Sequence, residues 1–228
     1  ANNVAPAMAA NAMAAPSVAG YVGNRELNAH GFELDQFFAK GLIGALCLDQ
    51  VVNGYLSEAK IGDGVDNVNR DPNEDANSTA MEHHWDEAYG YFTDAVDYPT
   101  NGTNRFWGKY ANNTLETLLG SAPTISEAFR TGSAEIAAGV TADVPAQVAI
   151  IQEEVRRMVA GMAIHYLNST KQKVADGESQ NKVNHYLSEA WAFIYGIQFC
   201  QDADMTTAEV MGILTDGIVT PNGTYPAI

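Results

Sequence analysis

Apolar residues recur at three- and four-residue steps along most of the chain, which is the spacing of one face of an α-helix. The first run predicts a long amphipathic helix over about 32–58. A second run predicts a helix over about 80–93, and Thr79 followed by Glu82 gives that helix a capping box at its start. No run alternates apolar and polar residues as a half-buried strand would. The pattern therefore predicts an all-α protein.

Further segments with helical spacing of apolar residues follow toward the end of the chain. Thr124 with Glu127 and Thr206 with Glu209 have the spacing of two more capping boxes. Several long helices and some shorter ones, joined by loops of mixed length, predict a single helical bundle around one core. The additional helical runs lie at 124–139, 142–173, 179–200 and 206–217.

Two stretches interrupt the helical pattern. Residues 1–24 are mainly Ala, Asn, Pro and Gly with almost no charge, so we expect an irregular N-terminal arm followed by a bundle domain at 25–228. Residues 61–78 are rich in Asp, Asn and Gly and predict a long polar loop at the surface. Its carboxylates could form a weak, irregular calcium site, but Pro72 interrupts the EF-hand spacing. A solvated acidic loop is the alternative.

The charge balance narrows the possible partners. Twelve Lys and Arg against 28 Asp and Glu give a formal charge of −16, which disfavours nucleic acid and anionic lipid surfaces and favours cations. No apolar run reaches the length of a transmembrane helix. Cys47 and Cys200 both lie in apolar segments predicted to be helical. They could be two free thiols or could form a disulfide between two helices.

Histidines with nearby carboxylates carry the candidate chemistry. Four of the five histidines have Asp or Glu three or four residues later, which places nitrogen and oxygen donors on one helix face. Imidazole with carboxylate is a ligand set for iron, manganese or zinc. The fifth, His165, stands on an apolar stripe and is expected in the core. The four pairs are His30 with Glu33, His83 with Asp86, His84 with Glu87, and His185 with Glu189.

Three sequence elements suggest a family. The segment EHHWDEAYGYF, with HGFELDQFFAKGLIGAL upstream and FWGKY downstream, resembles a bacterial family of exported, often lipid-anchored proteins with a domain of unknown function. That family is similar in turn to the imelysin-like proteins. The resemblance covers about residues 25–200. It implies a helical bundle lipoprotein of the cell envelope, linked to iron regulation and to iron or haem uptake.

The imelysin-type pattern is Gly-x-His-x-x-Glu. His84 and Glu87 match its last two fixed positions, and Glu82 stands where the pattern has glycine. His30 and Glu33 match in the same way, again without the glycine. The resemblance therefore points to these two pairs as metal ligands.

We accordingly expect an exported protein, periplasmic or at the cell surface, that binds iron or another divalent transition metal without catalysis. The His-Glu-x-x-His motif of a metallopeptidase is absent. The second hypothesis is a structural or interaction protein of the cell surface, in which the same residues form a buried polar network and the chain binds an envelope protein or itself. The first candidate ligands are His84 and Glu87, then His30 and Glu33, and after them His83, Asp86, His185 and Glu189.

Overall fold

The computed structural model describes residues 19–22, 24–70, 77–101, 105–200 and 205–217. Helix dominates these residues, and the only strands among them form one short antiparallel hairpin. The prediction of an all-α helical bundle fold is confirmed. None of the described helices combines the length and apolar character needed to cross a membrane.

Short 3₁₀ and π-helical segments lie between some of the α-helices. In chain order the α-helices are α1 (Leu34–Leu42), α2 (Glu58–Ile61), α3 (Ala80–Phe92), α4 (Phe106–Asn112), α5 (Thr114–Leu119), α6 (Ser121–Ala137), α7 (Val144–Ala175), α8 (Gln180–Gly196) and α9 (Thr207–Gly212). The π-helical segments are Ile43–Leu48, Gln50–Tyr55 and Ile213–Gly217, and the 3₁₀ turns are Thr141–Asp143 and Ile197–Phe199.

The hairpin occupies the end of the stretch predicted as an irregular arm. Strand β1 (Gly20–Val22) pairs with β2 (Arg25–Leu27), and Tyr21 faces Glu26. Strands of three residues are too short to show an alternating pattern, which is why the sequence did not reveal them. Residues 1–18 lie outside the described part of the chain, and the arm remains a prediction there.

The first residues of the helices show whether the predicted capping boxes form. The box at Thr79 is confirmed, because its hydroxyl accepts from the Glu82 amide while the Glu82 carboxylate accepts from the Thr79 amide. The equivalent box at Thr206 and Glu209 is also confirmed. The box predicted at Thr124 is wrong. Helix α6 already begins at Ser121, directly after Gly120 ends α5 in a left-handed conformation at φ 64°.

The described chain divides into two compact units. Of the described residues, unit 1 contains 19–22, 24–42, 162–198 and 205–217, and unit 2 contains 43–70, 77–101, 105–161 and 199–200. In unit 1, α1 packs on α8 through aromatic rings. The Phe37 ring lies edge-on to Trp191 at 4.6 Å between centroids, and Trp191 stacks on Tyr195 at 5.7 Å. Packing of these half-buried rings against one another holds α1 in place.

In unit 2, α3 packs on α6 and on the π-helical segment Gln50–Tyr55. The buried Trp85 indole donates to the backbone oxygen of Phe129 at 2.9 Å, and Phe92 stacks on the Phe129 ring. Gly132 permits this approach, because a Cβ atom there would overlap the indole of Trp85. One face of α3 is thereby fixed in the core, and the opposite face meets solvent.

Cys47 and Cys200 are free thiols, both in unit 2. Burial raises the pKa of the Cys200 thiol to about 12 and also raises the pKa of Cys47. Neither thiol is activated as a nucleophile.

Candidate functional site

The first candidate site is a group of polar side chains on the exposed side of α3 in unit 2. The capping box sets the start of α3, and the core contacts of Trp85 set its rotation, so His83, His84 and Glu87 lie away from the core. Tyr55 and Lys60 reach them from the preceding segments. We call Tyr55, Lys60, His83, His84 and Glu87 the α3 cluster.

His84 has one fixed nitrogen in this cluster. Its Nδ1 atom lies 2.6 Å from the backbone oxygen of Lys60, and because a carbonyl can only accept, Nδ1 carries the hydrogen. The Nε2 atom lies 3.4 Å from the Lys60 ammonium and therefore accepts. Both ring nitrogens of His84 are thus in contact with Lys60, Nδ1 with its backbone oxygen and Nε2 with its ammonium. A hydrogen bond from Nδ1 to a backbone oxygen is the usual support of a metal-binding histidine.

Glu87 pairs with His83 rather than with His84. The His83 Nε2 atom lies 3.5 Å from Glu87 Oε2, and the two side chains are 51% and 34% exposed. The predicted His84 and Glu87 pair is therefore not in direct contact. His83 and Glu87, four positions apart, form the closer pair. The His84 ring instead contacts the backbone oxygen and the ammonium of Lys60.

His83 contacts Glu87, while its predicted partner Asp86 lies at a cavity. Asp86 lines a cavity of about 750 Å³ whose wall also contains Trp85, Tyr89, Phe129 and Arg130. Asp86 therefore faces the groove between α3 and α6.

Tyr55 lies beside the histidines of the α3 cluster and was not predicted as a site residue. Its ring centroid lies 6.3 Å from that of His84. Burial, followed by the nearby Glu87 carboxylate, raises the pKa of the Tyr55 phenol. In the sequence this residue was one of several apolar positions of the predicted helix over 32–58. Nothing local connects it with a residue 32 positions later.

The second candidate site is a chain of ion pairs in unit 1. Arg25 Nη1 lies 2.8 Å from Glu33 Oε1, and Glu33 Oε2 lies 2.7 Å from His185 Nδ1. His185 Nε2 lies 3.4 Å from Glu189 Oε2, whose other oxygen lies 3.3 Å from Lys40 Nζ. Both carboxylates are almost completely buried. We call these five residues the Glu33 network.

The network offsets the cost of burying its carboxylates. Burial alone would raise the pKa of Glu33, but hydrogen bonds and charge from His185 and Arg25 outweigh it and hold that pKa below 4.5. The backbone amide of Glu33 donates to Ser188 on α8, which ties α1 to α8. The network thus fixes the two helices relative to each other within unit 1.

His30 is not in direct contact with Glu33, its predicted partner. The backbone amide of His30 donates to Asn28 Oδ1 at 2.9 Å, and its Nδ1 atom is buried without a hydrogen-bond partner. Glu33 instead contacts Arg25 and His185. By contrast, the predicted pair of His185 and Glu189 does form.

The geometry limits where a metal could bind. No group of three or more His, Cys, Asp or Glu side chains in the described residues is placed to hold an ion. In the Glu33 network the reason is geometric, since His185 presents a different nitrogen to each of its two carboxylates. One ion cannot take both nitrogens of one ring. His83, His84 and Glu87 of the α3 cluster likewise do not form such a group.

The predicted calcium loop is described only in part. Asp71, Glu74 and Asp75 lie outside the described residues. The Asn69 side chain donates a hydrogen bond to Asp66 and is the largest cause of its lowered pKa. The backbone amides of Val68 and Asn69 also donate to Asp66 and lower its pKa further. The calcium site remains a prediction.

Comparison with known proteins gives one match. Comparisons with curated proteins and with solved structures found none. The resemblance to imelysin-like proteins stays a prediction. A family model described as a domain of unknown function (DUF4856) matches residues 1–225, nearly the whole chain. The chain therefore belongs to the DUF4856 family.

Proposed function

We propose that this protein is a non-catalytic binding protein of the bacterial cell envelope that takes up iron or another transition metal cation at the α3 cluster. The envelope location and the link to iron come from the sequence resemblance. The choice of the α3 cluster comes from its geometry. The net charge of −16 favours the approach of cations over that of anions.

The observation that carries the proposal is the orientation of His84. Its Nδ1 hydrogen is committed to the Lys60 carbonyl, so Nε2 is the nitrogen that would bind an ion in place of its contact with the Lys60 ammonium. His83 and Glu87 would supply further donors. Their atoms are 3.5 Å apart, and two donors bound at about 2.1 Å from one ion can be at most about 4.2 Å apart. The His83 and Glu87 atoms are therefore within the separation that one ion allows.

The cluster is also accessible. His83 is half-exposed and Glu87 is a third exposed, so an ion can reach them without opening the core. The Glu33 network is a poorer candidate, because each of its carboxylates already contacts a cation and is buried. An ion there would have to displace Arg25 or Lys40.

Elemental analysis tests the proposal. The protein is purified after growth in medium replete in iron and zinc, and its metal content is measured per chain. We expect about one ion per chain, lost in His84→Ala and retained in His165→Ala. His165 is a suitable control because it packs against the Tyr166 ring on α7, outside the cluster. Metal-free wild-type protein with normal stability would contradict the proposal.

A second function has specific support. The Glu33 network is a buried polar network, as expected of a structural or interaction protein. In addition, Phe38 and Leu42, one turn apart on α1, are 59% and 49% exposed. Adjacent exposed apolar side chains are typical of surfaces that contact another protein. This function would make the chain a surface component that associates with itself or with another envelope protein.

Sedimentation over a range of concentrations tests this second function. Self-association through α1 would raise the apparent mass with concentration, and Phe38→Ser would abolish the increase. Ile164→Ser is the control, because Ile164 is also exposed, at 58%, and lies on α7. A constant monomer mass for the wild type would exclude self-association.

A further inference from the structure

We infer that a cavity in unit 1 binds a small organic amine, which is a positively charged ammonium group on an apolar body. The cavity has a volume of about 390 Å³, and small-molecule sites in proteins occupy about 300–1,000 Å³. It belongs to a different unit from the α3 cluster, so it is a second binding site beyond the proposed metal site. Residues of the β-hairpin and of the start of α1 line it, among them Tyr21, Arg25, Glu26, Leu34, Asp35 and Phe38.

Glu26 has an unsatisfied carboxylate at this cavity. It pairs with Tyr21 across the hairpin, so the two side chains project from the same face, and both residues line the cavity. The Glu26 Oε1 atom is buried and has no hydrogen-bond partner. A buried carboxylate oxygen without a partner costs free energy, and native proteins contain few of them. A bound ammonium group would offset this cost, because it attracts the carboxylate charge whichever oxygen it contacts.

The charges at the cavity favour a cation. Among its described lining residues one is basic and three are acidic. Arg25 Nη1 lies 2.8 Å from Glu33 Oε1, so these two residues neutralise each other. Asp35 accepts hydrogen bonds from the backbone amide and the side-chain amide of Gln36, which are neutral donors, and it keeps its negative charge. Glu26 and Asp35 therefore leave the cavity with an excess of negative charge.

The apolar walls define the rest of the ligand. Phe38 is 59% exposed, and Leu34 and the Tyr21 ring add apolar surface to the same cavity. Burial of this surface favours a hydrocarbon body, and the faces of aromatic rings attract ammonium groups. A bare metal ion would cover none of this surface, and the described residues contain no group of three metal-binding side chains. An amine with an apolar body matches both the charge and the walls.

Phenethylamine, which is an ammonium ion at neutral pH, is the probe. Phenethyl alcohol has the same apolar body without the charge, and hydrocinnamate has the opposite charge. Asp176→Asn is the matched control for Glu26→Gln, because each substitution removes one negative charge from unit 1. Asp176 lies directly after α7, accepts from the Gln172 side chain and is not among the described residues that line the cavity.

Calorimetric titration of the whole protein measures the affinity for each probe. We expect phenethylamine to bind the wild type and Asp176→Asn with affinities within about twofold. Its affinity for Glu26→Gln should be at least about tenfold weaker, and the alcohol and hydrocinnamate should bind the wild type at least about tenfold more weakly than the amine does. Absence of amine binding in the wild type, equal amine affinity in Glu26→Gln, or equal affinity for either comparison compound would overturn the inference.

Urea denaturation without the amine separates ligand binding from a structural role of Glu26. A neutral amide costs less to bury than a carboxylate, so the unfolding midpoint of Glu26→Gln should equal or exceed that of the wild type. A side chain that stabilised the fold would give the opposite result. A lower midpoint in Glu26→Gln would therefore overturn the inference.

Discussion

The Nδ1 atom of His84 donates a hydrogen bond to the backbone oxygen of Lys60, 2.6 Å away, while the ammonium of the same lysine lies 3.4 Å from His84 Nε2. Lys60 thus plays two opposing parts. Its backbone oxygen fixes the imidazole ring, and its side chain places a positive charge beside the nitrogen that would bind the proposed cation.

The first prediction separates these two parts. Lys60→Met removes the ammonium and keeps the backbone oxygen, so the affinity for Zn²⁺ should rise. Removal of one partly solvated like charge is worth about 1 kcal/mol, or a factor of about five. Competition with a chromophoric chelator measures the change. Lys109→Met is the matched control, because Lys109 also lies 5.8 Å from a tyrosine ring centroid but outside the cluster. Weaker binding in Lys60→Met would contradict an opposing role for the Lys60 ammonium.

A second prediction concerns the Glu33 network. Glu33→Gln leaves Arg25 without its carboxylate in a mostly buried position, so the free energy of unfolding should fall by about 3 kcal/mol. Urea denaturation at neutral pH measures this loss. Glu127→Gln, which breaks an exposed pair with Arg130, should change stability by less than about 1 kcal/mol. Equal effects of the two substitutions would contradict a stabilising role for the network.

The third prediction is a pH dependence. The pKa of Glu33 is lower in the folded protein than its ordinary value of 4.5, so the unfolded chain binds its proton first as the pH falls. The stabilisation is complete above about pH 5 and is lost as the pH decreases below 4.5 toward the folded pKa. The slope of stability against pH in this acid range should be smaller in Glu33→Gln than in wild type. Asp66 and Glu209 also have lowered pKa values, but they titrate in both proteins and cancel in the comparison. Identical slopes would contradict the assignment.

A fourth prediction tests the packing that orients α3. Gly132→Ala would place a Cβ atom inside the buried Trp85 ring, and we expect a loss of about 1–3 kcal/mol in unfolding free energy. Gly90→Ala lies on an exposed part of α3 with no heavy atom within 4 Å of the new Cβ. It should stabilise the helix by about 0.5–1 kcal/mol. Thermal unfolding of both variants distinguishes the two sites, and a neutral Gly132→Ala would show that the α3–α6 contact is looser than described.

Local patterns predicted the elements of the fold better than the contacts of the site. The box of Thr79 and Glu82 and the helix after it depend on residues three positions apart, so the sequence contained the necessary information. The box predicted at Thr124 failed because the turn at Gly120 starts α6 three residues earlier. The predicted helix over 32–58 becomes π-helical from residue 43, which its apolar spacing did not reveal.

The site depended on residues that are distant in sequence. Glu33 contacts His185, 152 residues later, and no spacing rule connects them. Tyr55 comes close to the histidines of α3 because α3 packs on the preceding π-helical segment. For His84 the sequence predicted a pairing with Glu87, whereas the ring contacts Lys60, 24 residues earlier. Sequence patterns could supply the donor types, and tertiary packing decided which of them meet.

Calorimetric titration of the metal-free protein with Zn²⁺ at pH 7.5 tests the central claim, that His84 anchors a metal site on α3, most directly. We expect one site per chain in the wild type, with affinity at least about tenfold weaker in His84→Ala and unchanged in His165→Ala. Repetition at pH 5, where imidazole is protonated, should weaken the wild type as well. Equal affinity for wild type and His84→Ala, or absence of binding in the wild type, would contradict the claim.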